Sequence, residues 1–232
     1  MDSNTIFLEF PPQNRVLYTP HMDPTVINPT ILAQQLLKPE GELGEKIGEF
    51  LVERNASGMT FTFEHLYLKP SDHVLEIGFG PGEAIAEAVK QTPQGFVAGI
   101  DFSDVMLRMA EKRNHEAIAD GHVALTLGDA SRLPYKDNTF DVVFAMNVFH
   151  FWQEPLRELA ECRRVLKTNG RILFYFNHHS SWMDGLGDTG VFIAYEPSDV
   201  EKILTEAGFH DVGSLMGAVE KDGKCFLGWG VK

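Results

Sequence analysis

Short β-rich runs alternate with amphipathic stretches from Asp72 onward, and this alternation restricts the fold more than any other feature. Strands that alternate with helices require right-handed crossovers, which place the strands parallel in one sheet between helical layers. We expect strands at 73–77, 95–100, 122–127, 140–146 and 171–177, and helices at 82–91, 103–119, 155–166 and 198–207. The sequence therefore predicts an α/β protein with a mostly parallel sheet.

The alternation stops near the end of the chain. Two strand-like runs, 209–216 and 224–231, follow the last predicted helix with no helix between them. Strands in direct succession pair antiparallel. We therefore expect a seven-stranded sheet with helices on both faces and an antiparallel C-terminal strand.

Prolines mark the N-terminal segment as different from the rest of the chain. Five fall within the first 29 residues and exclude a continuous helix or a central strand there: Pro11, Pro12, Pro20, Pro24 and Pro29. Residues 30–69 have apolar side chains at helical spacing, which predicts two or three short helices. We divide the chain into an N-terminal arm and helical cap, residues 1–69, and a ligand-binding domain, residues 70–232.

The proline-rich arm carries side chains that are suited to cover a binding site. These are Tyr18, His21 and Met22. Two interpretations stay open: a lid that folds over the opening of the site, or an ordinary tail or subunit contact. A lid would assist a reaction that gains from exclusion of water.

Charge and cysteine content exclude several classes of function. The chain has 20 Lys and Arg against 33 Asp and Glu, a net charge of −13, which disfavours nucleic acid as a partner. Its two cysteines show no Cys/His ligand spacing, which argues against a structural zinc site. No run approaches the ~18 apolar residues of a membrane span, and the N-terminus lacks a basic start followed by an apolar stretch. We expect a cytoplasmic protein without a membrane span.

The densest chemical signal is the segment VLEIGFGPG at 74–82, a hydrophobic strand that ends in an acid and is followed by three alternating glycines. Glycine permits a tight turn against which a ligand can lie, and the following helix offers free N–H groups. Asp101 ends the next strand 19 residues after Gly82, near the spacing at which nucleotide-binding sheets place a carboxylate on ribose hydroxyls. The segment therefore predicts a nucleotide-like ligand, although Asp101 and Asp129 also suit a helix-capping role.

The residue after the third glycine separates two classes of nucleotide ligand. Dinucleotide-binding loops follow GxGxxG, which requires glycine at position 83, and this chain has Glu83. An acid beside a pyrophosphate is unfavourable because like charges repel. A sulfonium nucleoside carries no phosphate, so a glycine loop flanked by Glu76 and Glu83 accepts it without that repulsion.

With these residues the chain resembles the class I S-adenosylmethionine-dependent methyltransferases, especially the small-molecule group related to ubiquinone and menaquinone methyltransferases. Five motifs occur in order across 72–232: LEIGFGPG at 75–82, GIDFSDVML at 99–107, GDASRLPY at 128–135, FDVVFAMNVFHFW at 140–152 and RRVLKTNGRILF at 163–174. The resemblance implies a Rossmann-like fold, S-adenosyl-L-methionine as cofactor and S-adenosyl-L-homocysteine as product.

The resemblance also implies a set of cofactor contacts. Glu76 and the glycine loop would surround the methionine tail, and Asp101 would bind the ribose diol. Phe102 and Met106 would flank adenine, and Asp129 would accept from its amino group. The complete set is Glu76, Gly78, Phe79, Gly80, Gly82, Asp101, Phe102, Met106, Asp129, Ala130 and Asn147.

His150 is the candidate catalytic residue, because it follows the fourth strand near the expected point of methyl transfer. An imidazole with a pKa near 6.5 can accept a proton from an attacking hydroxyl or acidic carbon. Two other interpretations stay open, a donor that positions the substrate and a structural histidine.

Aromatic and histidine side chains gather after the fourth and fifth strands and predict an apolar or aromatic acceptor. The candidate substrate contacts are Phe149, Trp152, His178, Trp182 and Tyr195. We predict no metal site at His178 and His179, because adjacent strand residues point in opposite directions and no carboxylate lies close in sequence.

The expected activity is in-line transfer of the sulfonium methyl to a small acceptor. A non-catalytic protein that binds S-adenosylmethionine and an NAD(P)-linked oxidoreductase remain as alternatives. The sequence leaves open whether oxygen, nitrogen, sulfur or carbon is methylated, and the oligomeric state is also open.

Overall fold

The computed structural model describes residues 27–219 and 223–232, in which seven strands form one sheet. The strands are β1 (His73–Ile77), β2 (Phe96–Asp101), β3 (Val123–Leu127), β4 (Phe140–Met146), β5 (Leu166–Asn177), β6 (His210–Val219) and β7 (Gly223–Val231). Their order across the sheet is β3-β2-β1-β4-β5-β7-β6. The first five strands are parallel to one another, and β7 is antiparallel to both β5 and β6. The predicted fold class is confirmed.

Eight α-helices of the described residues accompany the sheet. They are α1 (Pro29–Leu37), α2 (Gly41–Arg54), α3 (Ala56–Leu66), α4 (Glu83–Gln91), α5 (Asp104–Arg113), α6 (His115–Ala119), α7 (Pro155–Val165) and α8 (Pro197–Glu206). None of the helices within 27–219 or 223–232 has the length and apolar character needed to cross a membrane. The predicted lid residues Tyr18, His21 and Met22 lie outside the described residues.

Two differences from the predicted elements have local causes. The single helix expected at 103–119 is divided at Asn114, whose side-chain amide donates to the carbonyls of Gly82 (3.1 Å) and Ala110 (2.9 Å) and whose backbone leaves the helical region. β5 begins at Leu166 rather than Arg171, because the Asn169–Gly170 turn is absorbed into the strand as an irregularity, with Asn169 at φ +62°. Ser103 caps α5, since its Oγ accepts from the N–H of Met106 at 3.2 Å.

Each face of the sheet carries its own hydrophobic core, because successive strand residues point to opposite faces. Val74 lies in the core shared with helices α3, α4 and α5, and its neighbour Leu75 lies in the core shared with α7 and α8. The connections out of β1 and β4 therefore lie on opposite faces. Such a reversal opens a crevice at the carboxyl ends of the two strands.

The three N-terminal helices pack against the sheet unit above this crevice. Helices α1 and α2 share a buried cluster with the loop after β5, formed by Leu32, Ala33, Ile47 and Leu186. The turn between α1 and α2 is tied to the start of α5, because Ser103 Oγ donates to the carbonyl of Pro39 at 2.6 Å. The division at residue 69 into cap and domain stays a prediction.

Candidate active site

A cavity of about 540 Å³ lies at the carboxyl ends of β1, β2, β3 and β4, beneath the helical cap. The segments that follow these four strands contribute residues 76–81, 100–102, 128–130 and 146–148 to its wall. This is the crevice that the reversal of strand order between β1 and β4 creates. Ten of the eleven predicted cofactor residues line it, all except Gly82.

The glycine loop has the conformation that only glycine adopts readily. Gly78, Gly80 and Gly82 have φ values of +68°, +51° and +86°. A Cβ on Gly78 would lie 2.5 Å from Cγ2 of Val148, so the loop packs directly against the segment after β4. A Cβ on Gly82 would meet Ala110 at 2.7 Å, which explains why this glycine serves the packing of α4 on α5 rather than the cavity.

Asp101 joins the glycine loop to the start of α5. Its Oδ2 accepts from the N–H of Gly80 at 2.9 Å, and its Oδ1 accepts from the N–H of Ser103 at 2.8 Å. The side chain is almost fully buried, and burial raises the pKa of Asp101, opposed by these backbone hydrogen bonds. Each carboxylate oxygen keeps a further lone pair for a ligand in the cavity.

Glu76 is a buried acid without a hydrogen-bond partner for its Oε2 among the described residues. Burial raises its pKa well above the ordinary value, and the nearby carboxylates Glu83 and Asp101 add to the rise. An unpartnered buried carboxylate is unstable unless a ligand supplies positive charge or a donor. Glu76 therefore marks the part of the cavity that suits a cationic group.

All the charged side chains of the cavity wall are acidic. Its titratable members are Glu76, Glu83, Asp101, Asp129, Glu154 and Glu158. Among the lining residues within the described ranges there is no lysine, arginine or histidine. The negative charge of Glu83 is partly balanced by an ion pair with Arg113, which does not line the cavity, although burial still raises the pKa of Glu83. This field favours a ligand of net positive charge and disfavours one of net negative charge, such as a dinucleotide.

The segment after β3 and the first turn of α5 form one end of the cavity. Met106 is buried, and Phe102 exposes 40% of its surface. Asp129 accepts from the N–H of Ser131 at 2.7 Å and lies beside Ala130 in the wall. Two apolar side chains and a carboxylate thus line this end of the cavity, and these are the residues that the resemblance predicts around adenine.

The segment that carries Asp129 is braced by Arg164 of α7. Its guanidinium donates to the carbonyls of Leu133 (2.9 Å) and Tyr135 (2.7 Å) and to the carboxylates of Glu161 (2.7 Å) and Asp137 (2.8 Å). Glu161 in turn accepts from the N–H of Leu133 at 2.8 Å. These bonds fix the path of the chain that leaves the cavity after β3.

Asn147 connects three parts of the molecule at the end of β4. It has φ +54°, and its Oδ1 accepts from the N–H of Asn177 at 2.8 Å. Its Nδ2 lies 3.4 Å from Oδ1 of Asn55, which stands between α2 and α3. Both asparagines line the cavity, so the cap and the sheet meet within the site.

The cap supplies an apolar wall that sequence reasoning missed. Its lining residues are Leu36, Leu37, Pro39, Leu51, Val52, Asn55, Ala56 and Met59. Phe151 and Trp152 extend this wall from the sheet side. The amphipathic spacing of the cap helices predicted a packed face, but no local signal separates a face that covers a cavity from one that fills a core.

His150 lies outside the cavity wall. Its imidazole stacks on Phe192 with ring centroids 4.8 Å apart and contacts Phe151 and Trp182. Burial lowers its pKa to about 3, and its Nδ1 has no hydrogen-bond partner among the described residues. In this arrangement the ring is neutral at physiological pH and does not line the cavity, and the predicted catalytic role stays a prediction.

Of the five predicted substrate contacts, only Trp152 lines the cavity. Phe149 is fully buried in the core on the α7 and α8 side, where Tyr195 packs on it at 5.2 Å. Trp182 donates its indole N–H to the carbonyl of Asn177 at 3.0 Å, and His178 faces Glu196. Phe149 is thus part of the core, and the other three belong to the segment after β5, of which no residue between 178 and 196 lines the cavity.

Comparison with known proteins gives the family. Residues 75–174 match the model described as a methyltransferase domain. A demethylmenaquinone methyltransferase of Thermotoga maritima is 35% identical over 166 residues, which are 60% of this chain and 70% of that protein. An uncharacterized methyltransferase of Schizosaccharomyces pombe is 34% identical over 116 residues, covering 48% of this chain and 42% of its own length. A solved S-adenosylmethionine-dependent methyltransferase of Aquifex aeolicus has the same fold, with a TM-score of 0.65 at 23% identity over 87% of this chain and 97% of that one.

The chain therefore belongs to the class I S-adenosylmethionine-dependent methyltransferases. Within that class it is related to the quinone methyltransferases. In several other curated relatives the match spans less than half of the relative's own length.

The residues of the cavity fit the cofactor of this class. A sulfonium and an ammonium group match the acidic wall and the unpartnered Oε2 of Glu76. A Cβ on Gly80 would meet nothing within 4 Å, so the loop leaves open space beside its backbone for a ligand.

Proposed function

We propose that this methyltransferase transfers the methyl group of S-adenosylmethionine to a small, uncharged and largely apolar acceptor by in-line displacement. One observation carries the proposal. A single cavity joins the glycine loop and Asp101 to the apolar wall of the cap, and no basic side chain lines it among the described residues. Its volume of about 540 Å³ lies within the range of small-molecule sites.

The cofactor end of the cavity would be held by the chain as follows. Glu76 faces the ammonium of the methionine tail, Asp101 accepts from the ribose hydroxyls, and Asp129 accepts from the adenine amino group. Phe102 and Met106 enclose the adenine ring. The backbone of the glycine loop and the amide of Asn147 complete the methionyl end.

The acceptor end is defined by Leu51, Val52, Met59, Phe151 and Trp152. A phosphorylated or carboxylated acceptor would be repelled by the six carboxylates and would find no cation to pair with. An apolar ring gains about 25 cal/mol for each Å² that it buries against this wall. A quinone of the type named for the Thermotoga relative is one acceptor with the required apolar character.

Catalysis in this site would depend on positioning. Bound S-adenosylmethionine supplies a methyl group that is already activated by the sulfonium. The protein aligns the acceptor lone pair with the carbon–sulfur bond, and the cap excludes water from the crevice. A protonated acceptor must also lose its proton. Glu158 lies in the cavity wall, burial raises its pKa, and its Oε2 has no hydrogen-bond partner among the described residues, so its carboxylate is a candidate to accept that proton.

Calorimetric titration tests the cofactor first. Protein that has been stripped of carried-over ligand is titrated with S-adenosylmethionine, S-adenosylhomocysteine and NADH. We expect micromolar binding of both sulfur nucleosides and none of NADH. Binding of NADH alone would overturn the cofactor proposal in favour of the oxidoreductase alternative.

Turnover tests the acceptor. Release of S-adenosylhomocysteine is measured with matched pairs of acceptors that differ only in a phosphate or carboxylate group. We expect methylation of the uncharged member of each pair. Preference for the anionic member would refute the acceptor class, and cofactor binding without turnover on any acceptor would support the non-catalytic alternative.

A further inference from the structure

A cluster of metal-ligating side chains lies outside the cavity, at the end of β5. His179 Nε2 is 2.8 Å from Oε1 of Glu196, and His178 Nε2 is 3.3 Å from Oε2 of the same carboxylate. One ligand atom from each of the three residues lies within 4.8 Å of the others. We propose that His178, His179 and Glu196 bind one divalent transition-metal ion of the zinc type.

This arrangement corrects the sequence argument against a metal at the paired histidines. The argument assumed strand geometry, but β5 ends at Asn177 and residues 179–181 form a short 3₁₀ helix. The two imidazoles therefore lie on the same side, with ring centroids 4.2 Å apart. The carboxylate that the local sequence lacks comes from Glu196, 18 residues after His178, at the start of α8.

The donor set determines the kind of ion. Two imidazole nitrogens and one carboxylate oxygen are the ligands of open zinc sites, whereas Mg²⁺ and Ca²⁺ require mostly oxygen. Ligand atoms around a tetrahedral ion with bonds of 2.0–2.1 Å are about 3.3 Å apart, so the observed separations need only small rotations of the side chains. His179 and Glu196 are partly exposed, which leaves a fourth position open to water.

The surroundings orient the first ligand. Nδ1 of His178 accepts from the backbone N–H of Ser180 at 3.2 Å and lies 2.8 Å from Oγ of the same residue. These two contacts hold the ring with Nε2 toward Glu196, and a bound ion would replace the proton between Nε2 and that carboxylate. His178 is almost fully buried, beside Phe226. A buried imidazole with a fixed partner loses little freedom when it binds an ion.

The cluster lies where a bound ion would affect the active site. Its ligands lie at the two ends of the loop 178–196, which joins β5 to α8. Within that loop Leu186 packs with Leu32 and Ile47 of the cap, and Phe192 stacks on His150. A bound ion would tie the loop ends together and so stabilise the cap that covers the cavity.

The test uses the full chain without an affinity tag, stripped with chelator and titrated with Zn²⁺ by calorimetry, and with Co²⁺ by visible absorption. We expect one ion per chain and a melting temperature that rises with Zn²⁺. His179→Ala and Glu196→Gln remove partly exposed ligands and spare the buried His178. Either change should weaken binding by tenfold or more, since loss of even an outer-shell partner costs 10- to 100-fold.

His210→Ala is the matched control, because His210 Nδ1 also faces a carboxylate, Asp211 Oδ2 at 3.1 Å, but has no second imidazole in its pair. It should bind Zn²⁺ as the unaltered chain does. The proposal is overturned if the unaltered chain binds no ion, or if the ligand variants bind as tightly as the control. Melting temperatures without metal show that each variant is folded, so loss of binding is not loss of structure. Because binding is read without methyl transfer, the result is independent of the proposed function.

Discussion

Replacement of Asp101 by asparagine should weaken cofactor binding and fold stability together. The carboxylate accepts from the backbone N–H groups of Gly80 and Ser103, one on each oxygen. Asparagine keeps one acceptor oxygen but turns its NH₂ group toward the other N–H, where two donors repel. One of the two backbone hydrogen bonds is therefore lost, and the glycine loop is released on one side.

The magnitude follows from the kind of bond that is lost. A hydrogen bond to a charged group contributes about 1.5–3 kcal/mol. The same range applies to a ribose hydroxyl that donates to this carboxylate, and it corresponds to a roughly 10- to 150-fold increase in Kd. The free energy of unfolding should decrease by an amount near the lower end of that range. The raised pKa of Asp101 indicates that its buried charge is unfavourable, so removal of that charge offsets part of the lost hydrogen bonding.

Calorimetry with S-adenosylhomocysteine and denaturant unfolding measure the two effects of Asp101→Asn. Asp104→Asn is the matched control, because it removes the same charge three residues away, where Asp104 is exposed and paired with Arg108. That control should change stability by no more than about 0.5 kcal/mol and leave Kd unchanged. Equal Kd values for Asp101→Asn and the unaltered chain would refute the assignment of Asp101 to the ribose.

Three further substitutions test the site. Glu76 has a pKa raised above the ordinary value of 4.5, so binding of a cationic ligand should release protons and strengthen as pH rises from 4.5 toward its folded pKa. Over the same window the free protein loses stability. Glu76→Gln should reduce both dependences, which are measured by calorimetry in two buffers and by denaturant unfolding, and leave only the parts due to Glu83, Asp101 and Glu158. Gly78→Ala should cost about 1–3 kcal/mol of stability and weaken cofactor binding, because its Cβ would lie 2.5 Å from Val148 at φ +68°. His150→Phe should retain turnover, because the imidazole is outside the cavity wall with a pKa of about 3 and already stacks on Phe192.

Each of these has its own control and its own contrary result. Glu87→Gln removes a half-buried surface carboxylate that pairs with Lys90, and proton release should persist in it. Gly121→Ala shares the positive φ without a neighbour within 4 Å, so an equal loss at both glycines would contradict the clash with Val148. A fall in kcat of about 100-fold for His150→Phe at unchanged Kd would instead support the general base that the sequence predicts.

The sequence predicts this fold well where local signals are strong. β1 and β4 have the predicted bounds, 73–77 and 140–146, because buried β-rich runs end at Gly78 and Asn147, both of which turn the chain at positive φ. The glycine loop and Asp101 can also be predicted from neighbouring residues alone. Each follows a predicted strand and precedes a predicted helix, which is the position of a ligand-binding loop in such a sheet.

The rest of the site depends on packing between distant segments. Leu51 and Met59 reach the cavity because the cap folds over the sheet, and nothing in their own helices indicates this. The surroundings of His150 come from Phe192, 42 residues later, and those of His178 from Glu196. The rule that strand residues alternate failed at His178 because the strand had already ended.

The hydrogen bonds of Arg164 bear on the thermodynamics of binding. They order residues 133–137 in the free protein, so the segment that leads from Asp129 loses its conformational entropy during folding and not when a ligand arrives. Arg164 belongs to α7 and does not line the cavity. A side chain that never contacts the ligand thus makes the entropy of association less unfavourable, and its loss would be measured as an entropic penalty on binding.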